Sequence, residues 1–256
     1  MDVFGNTRSR VAGNYSLITP DTHVNQPLVG WKNTSAVIHI SPEMGARFTQ
    51  YTATMSAGAI SGFPGAGTTV QRFFYVREGA CTLKLTDPRQ NGETHELKAG
   101  GYAFVPGDML HEIHVAKSAK LIVFEKEHQS HPDFGRGKLV VGDAKDVPGE
   151  PFMGDEDARL QTLLPIEPDF DMAVNIFTYQ PGATLPQVEI HVMEHGLEMI
   201  AGQGVYRLGE DYFPVVDGDV IWMASYCPQW FVAMGKTPAT YIYYKDIHRD
   251  RLAEKA

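Results

Sequence analysis

Short runs of apolar, aromatic and β-branched residues recur along the whole chain, separated by glycine, proline, aspartate and asparagine. Segments with the period of an amphipathic helix are nearly absent, and the strongest helix candidate is the short segment 155–164. Short runs with regular turn residues are typical of sandwiches and barrels, so we predict an all-β protein. The predicted strands lie at 36–40, 73–76, 81–85, 121–125, 173–179, 205–208, 219–223 and 240–244.

The second half of the chain repeats the pattern of the first. The stretch 72–83 matches 195–208, and 99–105 matches 217–223. The spacing between the two matches differs, which places a longer hairpin loop at 87–92 in the first copy. The chain therefore contains two copies of one β module.

A polar segment rich in proline and glycine joins the two modules, and an N-terminal segment precedes them. We expect the N-terminal segment to pack on the modules as an extension of them. The predicted boundaries are 1–44 for this extension, 45–127 for the first module, 128–154 for the linker and 155–256 for the second module.

Charge and cysteine content narrow the class of protein. The chain has 22 Lys and Arg residues against 31 Asp and Glu, a net charge of −9 without any basic run, which argues against nucleic acid as a partner. No apolar stretch approaches the roughly 20 residues of a membrane helix, and the N-terminus does not resemble a secretory signal. The two cysteines, Cys81 and Cys227, exclude a disulfide framework. We expect a cytoplasmic protein in which both are inert core residues.

The densest set of metal-ligand residues lies at 189–195. Glu189 and His191 are two residues apart, so on a strand they point to the same face. His195 shares that parity if the strand continues, or a turn returns it from the neighbouring strand. Carboxylate oxygen and imidazole nitrogen bind Mn²⁺, Fe²⁺ and Zn²⁺. The repeat aligns Gln229 with His111 and makes Gln229 the candidate fourth ligand. A single residue of this kind would be read as a surface residue, but the combination predicts a metal site.

The first module does not retain this set. The alignment of Gly79 with Gly202 puts Ala66, Thr68 and Arg72 at the ligand positions, and only His111 is kept. One imidazole does not hold a metal, so we expect His111 and His114 to be structural. This module then stabilises and assembles the other.

A lysine is predicted to face the interior of the second module. Period-two alternation places Tyr241, Tyr243 and Lys245 on one face of the last strand. A buried ammonium requires an anion, and a substrate carboxylate would suit it. Alternatively, Lys245 is a solvated residue at the strand end and the tyrosines belong to the core.

Two motifs of the second module resemble those of the cupin superfamily. The first comprises Gly182, Glu189, His191, His195 and Gly202, and the second comprises Asp217, Gly218, Asp219, Pro228 and Gln229. The resemblance implies two tandem cupin barrels (double-stranded β-helix, or jelly-roll), the first degenerate and the second metal-binding. The usual cupin pattern has histidine at the first and fourth ligand positions, where this chain has Glu189 and Gln229.

This unusual ligand set, with the segments 189–196, 219–223, 228–230 and 244–246, resembles the (S)-ureidoglycine aminohydrolase family. The resemblance implies a Mn²⁺-dependent homo-oligomeric bicupin of purine (allantoin) catabolism. Such an enzyme hydrolyses (S)-ureidoglycine, a small anionic ureido compound, to (S)-ureidoglycolate and ammonia. The resemblance also implies that the residues that contact the substrate are Tyr206, Tyr241 and Lys245.

The expected catalytic residues are Glu189, which can be both ligand and base, together with Lys245 and Tyr241. Lys245 or a tyrosine hydroxyl anchors the carboxylate or relays protons, and the sequence does not choose between these roles. Divalent ions other than Mn²⁺ also fit mixed oxygen and nitrogen ligands. Two alternatives are another bicupin enzyme, such as a metal-dependent dioxygenase or decarboxylase, and a non-enzymatic cupin that binds a small ligand. Oxygen-activating cupins usually keep more histidines, and a binding protein would fit two degenerate sites.

Overall fold

The computed structural model describes residues 7–62, 68–86 and 92–250, and the described chain is built almost entirely from β-strands. Among the described residues, short 3-10 turns lie at Pro20–Thr22, Pro42–Met44 and Ala144–Asp146. The strands are β1 (Arg10–Val11), β2 (Tyr15–Ile18), β3 (Gln26–Pro27), β4 (Lys32–Ile40), β5 (Thr49–Ile60), β6 (Val70–Leu85), β7 (Thr94–Lys98), β8 (Gly101–Val105), β9 (His111–Val115), β10 (Ala119–Glu127), β11 (Val140–Asp143), β12 (Glu150–Phe152), β13 (Asp155–Thr162), β14 (Met172–Tyr179), β15 (His195–Ala201), β16 (Gln203–Leu208), β17 (Asp211–Val216), β18 (Val220–Met223), β19 (Gln229–Met234) and β20 (Ala239–Asp246).

The chain forms two compact units and passes from one to the other between His23 and Val24 and again between Asp146 and Val147. The unit that begins at Val24 contains one sheet in the order β11-β8-β6-β10-β5-β4-β3, with β7 paired to β6, and β9 paired to β5 and β6. The other unit contains an eight-stranded sheet in the order β1-β2-β18-β15-β20-β14-β13-β12 and a three-stranded sheet in the order β17-β16-β19. We call them the first and second units.

Each unit encloses its own hydrophobic core, because alternate residues of each strand point to the same side of the sheet. In β9, Ile113 and Val115 are buried with the first unit's core, whereas the intervening residues are half-buried. In the second unit, Phe177, Tyr179 and Leu197 belong to an aromatic-rich core around the barrel interior. The predicted all-β fold of two cupin barrels is confirmed.

The eight predicted strands all coincide with strands of the structure, and 73–76 and 81–85 are parts of the single long strand β6. The helix predicted at 155–164 is wrong, because Asp155–Thr162 is β13. Ala158 of this strand is buried in the core, and Leu160 packs against that core from the same face. Cross-strand burial of these two side chains outweighs the helical preference of the segment.

The predicted extension and linker each contribute strands to both units. β1 and β2 extend the second unit's sheet, and β3 and β4 belong to the first. Within the predicted linker, β11 joins the first unit and β12 the second. The boundaries at 44, 127 and 154 remain predictions, and most of the predicted longer hairpin loop, 87–91, lies outside the described residues.

Both cysteines are buried free thiols. Burial raises the pKa of the Cys81 thiol to about 12 and also raises the pKa of Cys227, so neither thiol is activated as a thiolate. None of the helices among the described residues has the length and apolar character required to span a bilayer.

Candidate functional site

The candidate ligands of the second unit come together where two segments of extended chain meet. The backbone N–H of Glu189 donates to the carbonyl of Gln229 at 2.8 Å, and the reverse hydrogen bond is 3.0 Å long. The N–H of Tyr226 donates to the carbonyl of His191 at 2.7 Å. His195 is the first residue of β15, reached through a short turn rather than by a continuous strand. These backbone contacts hold all four candidate ligands around one point.

The two histidines and the glutamine amide converge at short distances. Nε2 of His195 lies 3.1 Å from Nε2 of His191, which is 3.0 Å from the side-chain nitrogen of Gln229. Each histidine is oriented from its other nitrogen, because Nδ1 of His191 donates to the Met193 carbonyl and Nδ1 of His195 to that of Tyr244. With the protons on Nδ1, both Nε2 atoms direct lone pairs at each other, an arrangement that a cation between them would stabilise.

Burial shapes the electrostatics of the same cluster. It lowers the pKa of His195 well below its ordinary value, and the neighbouring His191 and Lys245 side chains lower it further, so the ring is neutral. Burial raises the pKa of the Glu189 carboxyl, and the neighbouring His191 and Lys245 side chains partly offset this rise. The Glu189 carboxylate oxygen lies 4.0 Å from Nε2 of His191.

The donor set fits a divalent cation, provided that the amide of Gln229 takes part. Across the described ranges, no group of three or more His, Cys, Asp and Glu side chains is arranged to hold a metal ion. The side chains that do meet are those of His191, His195 and Gln229, and a half-turn of the Gln229 carboxamide presents its oxygen instead of its nitrogen. Two imidazole nitrogens, one amide oxygen and one carboxylate form a mixed set that suits Mn²⁺ and similar ions.

The cluster lines a cavity of about 270 Å³ inside the second unit. Tyr206, Tyr241, Tyr243 and Lys245 all line it, so the face predicted by alternation along β20 is the face that points inward. Burial lowers the pKa of Lys245, while the charges of Glu189 and Asp246 raise it. Lys245 is half-buried rather than fully solvated, and Tyr206 and Tyr241 belong to the hydrophobic core of the unit as well as lining the cavity.

Two polar residues in or beside this site, Tyr179 and Asn175, did not emerge from the sequence. The hydroxyl of Tyr179 lies 3.1 Å from that of Tyr241. The hydroxyl of the predicted residue Tyr206 donates to Oε1 of Gln229 at 3.5 Å. Asn175, also on β14, lines the cavity. The alternation along 173–179 places Asn175 and Tyr179 on one face, but only the register of β14 against β20 shows which face that is.

The equivalent point of the first unit is filled by an arginine. Nε of Arg72 donates to Glu125 at 2.6 Å and its NH1 to Nε2 of His111 at 3.0 Å, while the guanidinium lies 5.1 Å above the ring centre of Trp31. His114 instead pairs with Glu112 at 2.6 Å. Thr68 caps a backbone N–H through its hydroxyl, and Ala66 lies outside the described residues.

The chain is similar in sequence to proteins named (S)-ureidoglycine aminohydrolase. It is 38% identical over 259 residues to the one of Arabidopsis thaliana, and this alignment covers 98% of this chain and 82% of that protein. It is 35% identical over 253 residues to the one of Escherichia coli strain K12, covering 97% and 94%. No family model matches the chain.

Solved structures share the fold. The protein Ylba of Escherichia coli superimposes with a TM-score of 0.82 at 31% identity, covering 96% of both chains. Bacillus subtilis oxalate decarboxylase superimposes with a TM-score of 0.69 at 11% identity, covering 91% of this chain and 77% of that one. At that identity the likeness to the decarboxylase shows the fold alone.

Proposed function

Because the chain belongs to the (S)-ureidoglycine aminohydrolase family, we propose that it hydrolyses (S)-ureidoglycine to (S)-ureidoglycolate and ammonia in purine (allantoin) catabolism. The observation that carries this proposal is the lining of one cavity, which combines two imidazoles, a carboxamide and a carboxylate that lie close together with the Lys245 ammonium. A small substrate with both nitrogen donors and a carboxylate matches that combination.

We propose that Glu189, His191, His195 and Gln229 hold one divalent ion, with Mn²⁺ as the expected ion and other divalent ions as alternatives. An ion bound there supplies Lewis acidity for the charge that shifts during C–N cleavage. The fixed Nδ1 hydrogen bonds keep both histidines in the tautomer that such an ion requires.

Lys245 binds the substrate carboxylate. Its side chain is half-buried in the cavity wall, so its charge is less screened than at the surface, and an entering carboxylate competes for it with Glu189 and Asp246. The carboxylate is thereby fixed at one wall, and the amino-bearing carbon lies towards the candidate ligands.

Glu189 and the tyrosine hydroxyls handle protons. Glu189 is the carboxylate of the cavity that lies beside the other candidate ligands, and we propose that it accepts a proton from the attacking water. That water contributes a hydroxyl to the carbon as the C–N bond breaks, and the departing nitrogen leaves as ammonia after gaining one proton. Tyr206 and Tyr241 lie in the same cavity and contact the substrate, and we propose Tyr241 or Lys245 as the proton donor.

The compartment, oligomeric state and partners of the enzyme complete the proposal. We expect a cytoplasmic homo-oligomer with neither nucleic acid nor membrane as a partner, in keeping with two buried free thiols and a net charge of −9. Sedimentation of the purified protein tests the oligomer directly, and a monomer at micromolar concentration would contradict it.

The decisive experiment follows ammonia release from freshly generated (S)-ureidoglycine, with and without Mn²⁺, against the spontaneous breakdown of this compound. Gln229→Ala should lose the acceleration, and Lys245→Met should raise KM at least about ten-fold because the carboxylate loses a charged partner. Thr240→Val, on the opposite face of β20, is the matched control and should match the native chain. No acceleration by the native chain with Mn²⁺ would reject the proposed reaction.

A further inference from the structure

A row of three uncharged polar side chains crosses one wall of the cavity. The registers of β13, β14 and β20 place Thr162 opposite Asn175, and Asn175 opposite Tyr243. Directly opposite residues of neighbouring strands lie roughly 5 Å apart, and all three side chains line the cavity. We call Thr162, Asn175 and Tyr243 the polar row.

Asn175, at the centre of the row, is only 5% exposed and lines the cavity. Its side chain forms a hydrogen bond with that of Tyr243. A carboxamide carries two N–H donors and one acceptor oxygen, so this single bond uses only part of its hydrogen-bonding capacity. Phe177 and Leu160, the next inward-facing residues of β14 and β13, supply no polar partner for it. A buried amide is costly when its capacity is unused, so a ligand is the natural partner.

Lys245 lies on the same wall, one step along β20 from the polar row. Tyr243 and Lys245 are two residues apart on the strand, which separates same-face side chains by roughly 7 Å. A ligand whose carboxylate pairs with Lys245 can therefore reach the row with a second group of modest length. The row itself carries no formal charge, so that second group should be neutral.

We infer that the polar row, with Asn175 as its specificity-determining residue, recognises the ureido group of the substrate; this inference rests on the proposed function. A ureido group is uncharged and presents a carbonyl acceptor beside N–H donors, the same pattern that the Asn175 carboxamide offers in complement. A hydrocarbon substituent would leave the remaining hydrogen-bonding capacity of Asn175 unused. A second carboxylate has no N–H group to donate to the acceptor oxygen of Asn175. The row would thus select ureido compounds among small carboxylates.

The test compares binding of two small probes that cannot release ammonia by the proposed reaction. N-carbamoylglycine carries a carboxylate and a ureido group, whereas glycolate carries the carboxylate without the ureido group. Dissociation constants are measured by titration calorimetry on the full-length protein with Mn²⁺ present. The variants are Asn175→Leu and the smaller Asn175→Ala, with Thr178→Val, on the other face of β14, as the matched control. Thermal unfolding of each variant verifies that it is folded.

We expect the two Asn175 variants to bind N-carbamoylglycine at least about ten-fold more weakly than the native chain, with glycolate binding within two-fold of native. Thr178→Val should bind both probes as the native chain does. Equal loss of both probes in the Asn175 variants, unchanged binding of N-carbamoylglycine, or no preference of the native chain for N-carbamoylglycine over glycolate would each overturn the inference.

These outcomes separate the inference from the reaction on which it rests. If the native chain releases no ammonia from (S)-ureidoglycine but binds N-carbamoylglycine through Asn175, the proposed reaction fails and the recognition of ureido compounds stands. If ammonia is released and Asn175→Ala leaves KM unchanged, the reaction stands and the role of the polar row is wrong.

Discussion

His111 is a neutral base held between a carbonyl and a cation. Its Nδ1 donates to the Met109 carbonyl at 2.9 Å, and its Nε2 accepts from Arg72 at 3.0 Å. Burial lowers the pKa of His111 to about 4, and the positive charge of Arg72 acts in the same direction. The ordinary pKa is 6.5, so between these two values the unfolded chain binds a proton that the folded chain does not.

Lowering the pH from 6.5 towards 4 should therefore destabilise the first unit, by up to about 3 kcal/mol in the free energy of unfolding. Stability from this group is fully present above pH 6.5 and is lost as the unfolded histidine becomes protonated. His111→Gln keeps an acceptor for Arg72 and a donor for Met109 but does not titrate. Urea unfolding of both proteins at several pH values should show the steeper loss only with His111, and parallel pH profiles would contradict this account.

At the scale of elements, the turn between β12 and β13 explains why the helix prediction failed. Met153 and Gly154 both have positive φ, +53° and +86°, and Phe152 pairs with Asp155 across them. Two consecutive positive φ values define a two-residue hairpin turn that matches the twist of its strands. A methionine at the first position carries no sequence signal for such a turn, whereas asparagine would.

This turn should tolerate asparagine and reject β-branched residues. Met153 is 71% exposed, so its replacement removes little packing. Met153→Asn should stabilise the chain by about 0.5 kcal/mol because asparagine accepts a left-handed backbone, and Met153→Val should destabilise it by about 1 kcal/mol. Thermal unfolding of the native chain and the two variants measures whether their stabilities fall in the order asparagine, methionine, valine. A valine variant as stable as the asparagine variant would show that the turn is not held in this conformation.

The N-terminal strands stabilise the second unit from its edge. β2 pairs with β18, which pairs with β15, so that Tyr15 lies opposite Met223 and Met223 opposite His195. Arg8 ties this segment down with two hydrogen bonds to the fully buried carboxylate of Asp219, at 2.5 and 2.9 Å. The N-terminal segment therefore stabilises β18, the strand next to the candidate ligand His195.

Arg8→Met should reduce the free energy of unfolding by about 2 kcal/mol, because it leaves the buried Asp219 without its cation. Arg8 is partly exposed, so this loss is smaller than for a fully buried pair. Arg8→Lys should recover only part, because an ammonium cannot reproduce two parallel hydrogen bonds. Lys236→Met, at an exposed site, is the control. Urea unfolding that does not distinguish Arg8→Met from this control would exclude a stabilising role for the pair.

The sequence predicted the strands and the candidate ligands by local alternation, and it failed where tertiary pairing decides. Glu189, His191 and Lys245 follow from parity within one strand or turn. Asn175 and Tyr179 depend on which neighbour β14 pairs with and in which register. The pairing of residues 15–18 with β18 joins positions far apart in the chain, and no local pattern encodes it.

At the scale of the whole molecule, the two units carry different charged groups at equivalent points of their strand ladders. In the first, Arg72 lies opposite Glu125 across the ladder; in the second, His195 lies opposite Lys245. Arg72 places a permanent cation against His111, so the first unit carries its own positive charge and needs none from solution. The second leaves two imidazole lone pairs facing each other and a lysine ready for an anion. The net charge of −9 offers no long-range attraction for an anionic substrate, so Lys245 must act at short range.

This asymmetry predicts the metal content of the chain. After exposure to excess Mn²⁺ and removal of unbound ion, the purified protein should retain about one ion per chain. In the part of the chain that the structure describes, the second unit offers an unfilled set of donors, whereas Arg72 fills the equivalent point of the first. His195→Ala should reduce this towards zero. Arg72→Met should leave it at about one while lowering the free energy of unfolding, since one imidazole and Glu125 cannot replace the four-residue set. Elemental analysis of the three proteins decides the matter: two ions per native chain, or one ion retained in His195→Ala, would contradict a single site in the second unit.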